Sequence, residues 1–269
     1  MYVQNLHTHT TFCDGADTAE EMIIAAIQKG LDSIGFSGHS YAPYSKYWGN
    51  TDRAEEYKKT ISELKKKYKD KIAIYLGLEV DMYSKPKMEG YDYLIGSMHY
   101  FKLGEEYVGF DRSEQEVETL IKKHFSGNGM EYAKYYYQAL AQLPQYGNFD
   151  IIGHFDLITK HSENRTFFDI TSKEYLSAAF ETAEILSKKI PLFEVNTGAI
   201  SRGYRKTPYP STHIIRQFRK LGLGAVITSD SHNTNTRDCG FDLATELLRD
   251  CGFKEKYILT DNGFTAVSL

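Results

Sequence analysis

Apolar positions along this chain follow two alternating rhythms. Short runs rich in Val, Ile, Leu, Tyr and Phe predict strands at 2–7, 33–37, 72–79, 93–97, 151–154, 192–196 and 225–230, with a further candidate at 257–260. Between them the apolar spacing lengthens to that of a helix with one buried face, predicting helices at 18–29, 52–69, 113–125, 131–143, 172–188, 211–220 and 241–250. The first helix carries its own punctuation. Thr18 stands at the N-cap, Glu20 and Glu21 load the first turn with negative charge, and Gly30 stops the helix. Strand alternating with helix is the pattern of an α/β protein with a parallel sheet.

The polar residues sharpen this picture because of where they fall. His7, His39, Glu79, His99, His154, Glu194, Asp230 and His232 all stand at, or just past, the C-terminal ends of predicted strands. In a (β/α) barrel that end carries the chemistry, because the strand ends converge there. An open doubly wound sheet would gather ligands only at its switch point. Contributions from nearly every strand therefore predict a closed, distorted barrel of the (β/α)7 type, or one of eight strands if 257–260 completes the ring. No repeat, low-complexity segment or Pro/Ser linker divides the chain, so residues 1–269 read as one domain.

Composition narrows the partners more than the fold. Hydrophobic content of 41% and charged content of 25% are ordinary for a globular protein. A net charge of -4 argues against nucleic acid, whose phosphates call for a basic surface. No apolar run approaches a membrane span, and no basic segment with a long apolar core opens the chain, so we expect neither a membrane anchor nor a signal peptide. The three cysteines lack paired metal-binding spacing, which fits a reduced, cytoplasmic protein. Oligomeric state is not legible in these features.

Candidate chemistry comes from histidines and carboxylates together. His7 and His9 are two apart on a strand, so both side chains leave the same face and can hold one ion. Asp230 and His232 repeat that arrangement on a late strand. A single such pair is more often packing than ligation. A matching second pair, with Asp14, His39, Glu79, His99 and His154 besides, offers more donors than one ion needs. Imidazole with carboxylate suits Zn, Mn or Fe, and the number of donors predicts a multinuclear site.

These residues resemble the PHP (polymerase and histidinol phosphatase) superfamily: His7-x-His9, His39, Glu79, His99, Gly153-His154-x-Asp156 and Asp230-x-His232. Within it, the segments Leu6-His-Thr-His-Thr-Thr-Phe-Cys-Asp-Gly, Gly77-Leu-Glu-Val-Asp, Gly96-Ser-Met-His and Glu194-Val-Asn-Thr-Gly are similar to stand-alone histidinol-phosphate phosphatases. The resemblance implies a distorted (β/α)7 barrel, three divalent metal ions (Zn, Mn or Fe) and hydrolysis of L-histidinol phosphate in histidine biosynthesis, with hydroxide between two ions attacking phosphorus. It also implies an allocation. His7, His9, Glu79 and Asp230 would hold the first ion; bridging Glu79 with His99 and His154 the second; Asp14, His39 and His232 the third. Some members carry histidine where Asp14 stands.

Phosphate recognition needs cations at the same face. Arg202, in the loop after 192–196, is the leading candidate, followed by Lys160 and Arg165 in the loop after His154. Asp17 resembles the family position that binds the substrate amine, and beside Thr18 it equally suits a helix cap. Asp230 is a candidate for moving a proton, Glu79 for bridging the ions, and Asp156 and Glu194 for orienting imidazoles. Two other readings are a phosphoesterase acting on nucleotides or nucleic-acid ends, and a metal-binding module without catalysis. Against the first stand the acidic balance and the lack of a polymerase-like extension; against the second, every ligand position holds a competent side chain.

Overall fold

The computed structural model describes residues 2–45 and 52–269. In chain order it begins β1 (Gln4–Asn5), α1 (Ala19–Lys29), β2 (Ser33–Phe36), α2 (Ala54–Tyr68), β3 (Ala73–Asp81) and β4 (Tyr93–Ser97). An antiparallel hairpin follows, β5 (Tyr100–Leu103) with β6 (Glu106–Gly109), then α3 (Glu114–His124), α4 (Gly129–Leu140) and β7 (Ile151–Ile152). The chain continues through α5 (Lys173–Ser187), β8 (Leu192–Asn196), α6 (Gly198–Ser201), α7 (Thr212–Lys220) and β9 (Gly224–Thr228). It ends with α8 (Phe241–Asp250) and a second hairpin, β10 (Glu255–Thr260) with β11 (Gly263–Ser268).

Seven strands form the main sheet in the order β1-β2-β3-β4-β7-β8-β9, and every pairing in it is parallel. The ring closes between β9 and β1 by a short seam. Thr8 bridges Ser231 in parallel register, with His9 N donating to Ser231 O at 2.8 Å and Ser231 N to His7 O at 3.1 Å. Lower down, side chains replace the ladder: Asn5 Nδ2 donates to Ser229 Oγ at 2.8 Å, and Ser229 N donates to Asn5 Oδ1 at 3.1 Å. The result is the distorted (β/α)7 barrel expected from the strand ends.

The predicted strand at 257–260 does not complete the ring. Its partner is β11, which follows immediately after the turn at 261–262 and opens on Gly263 (φ 94°). The seam is already occupied by the Thr8–Ser231 bridge, so this hairpin packs at the other end of the barrel. Leu259 N donates to Gln4 Oε1 at 2.7 Å and Gln4 Nε2 donates to Leu259 O at 2.9 Å, tying it to β1. The β5–β6 hairpin was not predicted, because strands of four residues each are too short to show a period. The helix expected at 131–143 begins earlier, where Asn128 Oδ1 accepts from Met130 N and Glu131 N, and ends at Leu140 before a 3-10 turn containing Pro144. At α1 the expected cap is present: Thr18 and Glu21 bond each other's backbone amides, and Gly30 (φ 77°) ends the helix. Among the described residues no helix is long and apolar enough to cross a membrane.

Alternation along the strands separates two apolar layers. Leu78, Val80, Ile152, Phe193, Val195, Ala225 and Ile227 pack outward into the helices' core. Leu6, Tyr75, Tyr93, Ile95, Ile151, Leu192, Val226 and Leu259 form a separate inner cluster. Tyr93 lies where neighbouring strands leave room: a side-chain carbon at Gly77 would come within 2.2 Å of its ring, so only glycine fits there. That cluster is the floor on which the polar residues stand.

Candidate metal centre

Stepping two residues along a strand keeps the same face, so the inner side turns from apolar to polar as each strand rises. On β3 it passes from Tyr75 through Gly77 to Glu79; on β8, from Leu192 to Glu194 and Asn196; on β9, from Val226 to Thr228. His7, His9, Glu79, His99, His154 and Asp230 are all buried at the top of this face. His39 is half-buried beside them, bridged to Glu79 in the strand ladder. Asp230 takes a left-handed backbone (φ 48°), uncommon for a residue with a side chain. Gly198 accommodates it, since a side-chain carbon there would meet Asp230 Cβ at 2.8 Å.

Glu79 stands at the centre with its two oxygens facing different groups. Oε2 lies 3.3 Å from His7 Nε2, 3.5 Å from His9 Nε2 and 2.8 Å from His39 Nδ1. Oε1 lies 2.9 Å from His154 Nε2 and 3.4 Å from His99 Nε2. Asp230 Oδ1 completes the first group, 3.6 Å from His7 Nε2 and 3.1 Å from His9 Nε2. Donors tetrahedral about zinc stand about 3.4 Å apart, given Zn–N and Zn–O distances near 2.1 Å. The four separations linking His7 and His9 to Glu79 and Asp230, 3.1 to 3.6 Å, fit that edge length.

A third group lies toward the rim. Asp14 Oδ2 is 3.6 Å from His39 Nε2, and Asp14 Oδ1 is 3.5 Å from His232 Nε2. His9 Nδ1 turns to this side, 3.3 Å from Asp14 Oδ1 and 3.4 Å from Cys13 Sγ. Ligand atoms of His9, Asp14, His39 and His232 all lie within 4.8 Å of one another.

The fit to cations rests on buried atoms that protein donors do not satisfy. His7 Nε2, His9 Nε2 and Glu79 Oε2 are buried, converge on one point and make no hydrogen bond there. Leaving such atoms without a partner is costly, and a cation between them removes that cost. The electrostatics agree. Burial opposes a charged His7, but Glu194, Glu79 and Asp230 outweigh it and hold its pKa well above the ordinary value. Burial likewise opposes a charged His39, yet Glu79 and Asp14 raise it to about 10. Glu79 and Asp230 are pushed well below the carboxylate range, as neighbouring histidines and, for Asp230, Arg202 overcome burial. His232 is instead lowered, by burial and by His9. The cluster stabilises positive charge, and protons and metal ions compete for the same lone pairs.

Carboxylates outside the cluster orient its imidazoles. Glu194 Oε2 accepts from His7 Nδ1 at 2.9 Å, as the sequence led us to expect. Asp156 does not play that part; its Oδ2 accepts from Ser211 N at 2.8 Å and braces the entry to α7. Sequence reasoning missed Asp81. Its Oδ2 accepts from His99 N at 2.9 Å and lies 3.4 Å from His99 Nδ1, while Oδ1 accepts from Tyr44 OH at 2.5 Å. The signal was available, since Asp81 shares a strand face with Glu79 two residues away.

The four proposed substrate contacts separate in space. Arg202 is at the cluster: Nη2 donates to Asp230 Oδ2 at 2.8 Å, and Nη1 lies 3.0 Å from both Asp230 O and His232 Nδ1. Asp17 lies between the loops after β1 and β9, its Oδ2 accepting from Thr234 N at 2.7 Å. Lys160 Nζ donates to Asp111 O at 2.7 Å and lies 4.5 Å above the Tyr204 ring. Arg165 is drawn away, paired at 2.7 Å with Glu118 on α3.

Comparison with known proteins adds family to geometry. The pattern described as PHP domain matches residues 5–198. A histidinol-phosphatase of Lactococcus lactis subsp. lactis (strain IL1403) is 26% identical over 262 residues, covering 93% of this chain and 91% of that protein. A histidinol-phosphatase of Bacillus subtilis (strain 168) is 24% identical over 265 residues, covering 90% and 97%. Among solved structures, the histidinol phosphate phosphatase of Lactococcus lactis subsp. lactis Il1403, complexed with zinc, L-histidinol and phosphate, has a TM-score of 0.70 at 22% identity over 98% of each chain. That last likeness is one of fold. The matched family region ends before Arg202, Asp230 and His232, whose place in the site rests on the geometry above.

Proposed function

The chain belongs to the PHP domain family, and from that premise we propose that it is a metal-dependent phosphomonoesterase that hydrolyses L-histidinol phosphate to L-histidinol and phosphate. The observation that carries the reading is Glu79, whose two oxygens face two separate donor groups at bridging geometry. His7, His9, Glu79 and Asp230 would hold a first ion, Glu79 with His99 and His154 a second, and Asp14, His39 and His232 a third. His9 Nδ1 borders that third group without leaving the first. The resemblance to relatives named histidinol-phosphatase supports the choice of ester.

When bound, the ions acidify the attacking water and neutralise phosphate oxygens. The chain's own groups do the rest. Arg202, partly exposed at the rim, offers a guanidinium to the phosphate, a contact suited to its planar fork. Asp230, with Oδ1 facing His7 and His9 and Oδ2 paired with Arg202, is assigned the passage of a proton from the attacking water to the leaving alkoxide. Asp17 is assigned the substrate ammonium, at the mouth between the loops after β1 and β9. Arg165, engaged with Glu118, is directed away from the phosphate, whereas Lys160 stays a candidate phosphate contact, paired with Asp111 beside His99 and His154.

The test is phosphate release from L-histidinol phosphate by metal-analysed protein, beside nucleoside monophosphates and sugar phosphates. Preference for histidinol phosphate is the expected outcome. Faster release from nucleotides would replace the substrate while keeping the centre, and bound ions with no ester hydrolysed would leave only a metal-binding module.

A further inference from the structure

Glu194 is fully buried and accepts four hydrogen bonds from four different parts of the barrel. Oε2 takes His7 Nδ1 at 2.9 Å and Thr228 Oγ1 at 2.7 Å. Oε1 takes His154 N at 2.6 Å and Asn196 Nδ2 at 2.9 Å. A carboxylate has two oxygens able to accept two bonds each, so this one is saturated. It makes no direct approach to the space between Glu79 and Asp230; it stands behind His7.

We propose that Glu194 is the positioning residue that selects the metal-binding tautomer of His7, and so determines whether the first ion is held. Only when Nδ1 carries the hydrogen is the Nε2 lone pair directed toward Glu79 and Asp230. An acceptor at Oε2 enforces that tautomer. The other oxygen fixes the backbone of His154, a ligand of the second ion, so one side chain braces both halves of the centre. The inference rests on the ion assignment above and is independent of which ester is cleaved.

Glu194→Gln separates these two tasks. His154 N and Asn196 Nδ2 can only donate, so the amide oxygen must take the place of Oε1. The amide NH2 then faces His7 and Thr228. Thr228 can rotate its hydroxyl to accept, and His7 must present Nδ1 as an acceptor, which moves its hydrogen to Nε2 and removes it as a ligand. The backbone of His154 keeps its bond.

The experiment is competition of zinc-loaded protein with a chelator, with metal content read at each step and the metal-free melting temperature measured alongside. Wild type should bind its full complement. In Glu194→Gln, one ion should be released at roughly 10- to 100-fold lower chelator concentration, with the remaining ions released as in wild type. Nitrogen-15 spectra of the zinc-loaded variant should show His7 protonated at Nε2. Wild-type zinc affinity in the variant overturns the proposal. A wild type that binds no zinc instead overturns the ion assignment itself. Glu194→Asp covers the case in which the glutamine variant does not fold: it keeps the charge but withdraws the oxygen from His7, and should weaken the same single ion. Unchanged affinity there also overturns the proposal.

Discussion

At the lower end of the barrel interior Tyr93, Ile95, Ile151, Leu192 and Val226 fill the space with rings and branched chains. Two residues beyond Ile95, Ile151, Leu192 and Val226 on the same strands stand Ser97, Gly153, Glu194 and Thr228, and the cluster of imidazoles and carboxylates opens above them. One strand repeat, roughly 7 Å, separates a core from a reactive site. The apolar floor keeps water from beneath the charges, which strengthens every interaction between them. The roof gains nothing in packing and holds buried ionisable groups that only cations or protons balance. Both ends share a backbone, so the comparison is broken wherever a change at one end is felt as the other end's property.

The largest effect is expected at the roof. Glu79→Gln removes the negative charge between the two donor groups while leaving the shape almost intact. We expect turnover to fall at least about 1,000-fold, with loss of bound metal. Metal analysis and steady-state kinetics check it. Retained activity would mean that the two oxygens of Glu79 do not bridge ions.

The floor should respond in the opposite sense. Ile151 is fully buried in the inner cluster, and the next residue on its face is Gly153, which brings no side chain to the roof. Ile151→Ala is expected to cost about 2–5 kcal/mol of stability through lost burial and the cavity left behind. For a protein of this size that lowers the melting temperature by on the order of 10 °C. Turnover per folded molecule should stay at the wild-type value at temperatures where the variant is folded. A large fall in kcat there would show that the floor also tunes the site.

Much of the roof was legible before any coordinates, because strand geometry turns spacing into direction. His7 and His9 place two donors at one point simply by being two residues apart, whereas Asp230, in a left-handed backbone beyond β9, turns toward His7 and His9 while His232 faces Asp14. The ends of predicted strands likewise foretold which face of the barrel would collect them. What stayed hidden depended on partners far apart in sequence. Nothing near Arg165 says that Glu118 on α3 will claim it. Nor does the run around Asp156 reveal that Ser211 N will occupy its Oδ2. Asp81 was missed although it obeys the same spacing rule as His7 and His9, because spacing puts it on the face of Glu79 without saying that it will support His99. The hairpin β10–β11 was taken for a ring strand because local pattern cannot tell a strand that pairs with the barrel from one that pairs with its own neighbour.

The smallest contrast lies within the roof, between two arginines that sequence ranks as phosphate contacts. Arg202 binds Asp230 and His232 directly, so Arg202→Ala removes a phosphate contact and also loosens a ligand carboxylate. Both KM and kcat should therefore move, with kcat/KM falling about 100-fold, the cost of losing one charge-assisted contact and some orientation. Arg165 is 41% exposed and its partner Glu118 31%. An ion pair so open to water contributes little to stability. Arg165→Ala should leave KM for the ester unchanged and shift the melting temperature by no more than a few degrees. A marked rise in KM would mean that the loop after β7 swings Arg165 over the site when substrate binds. Arg165 would then rejoin Arg202 as a phosphate contact.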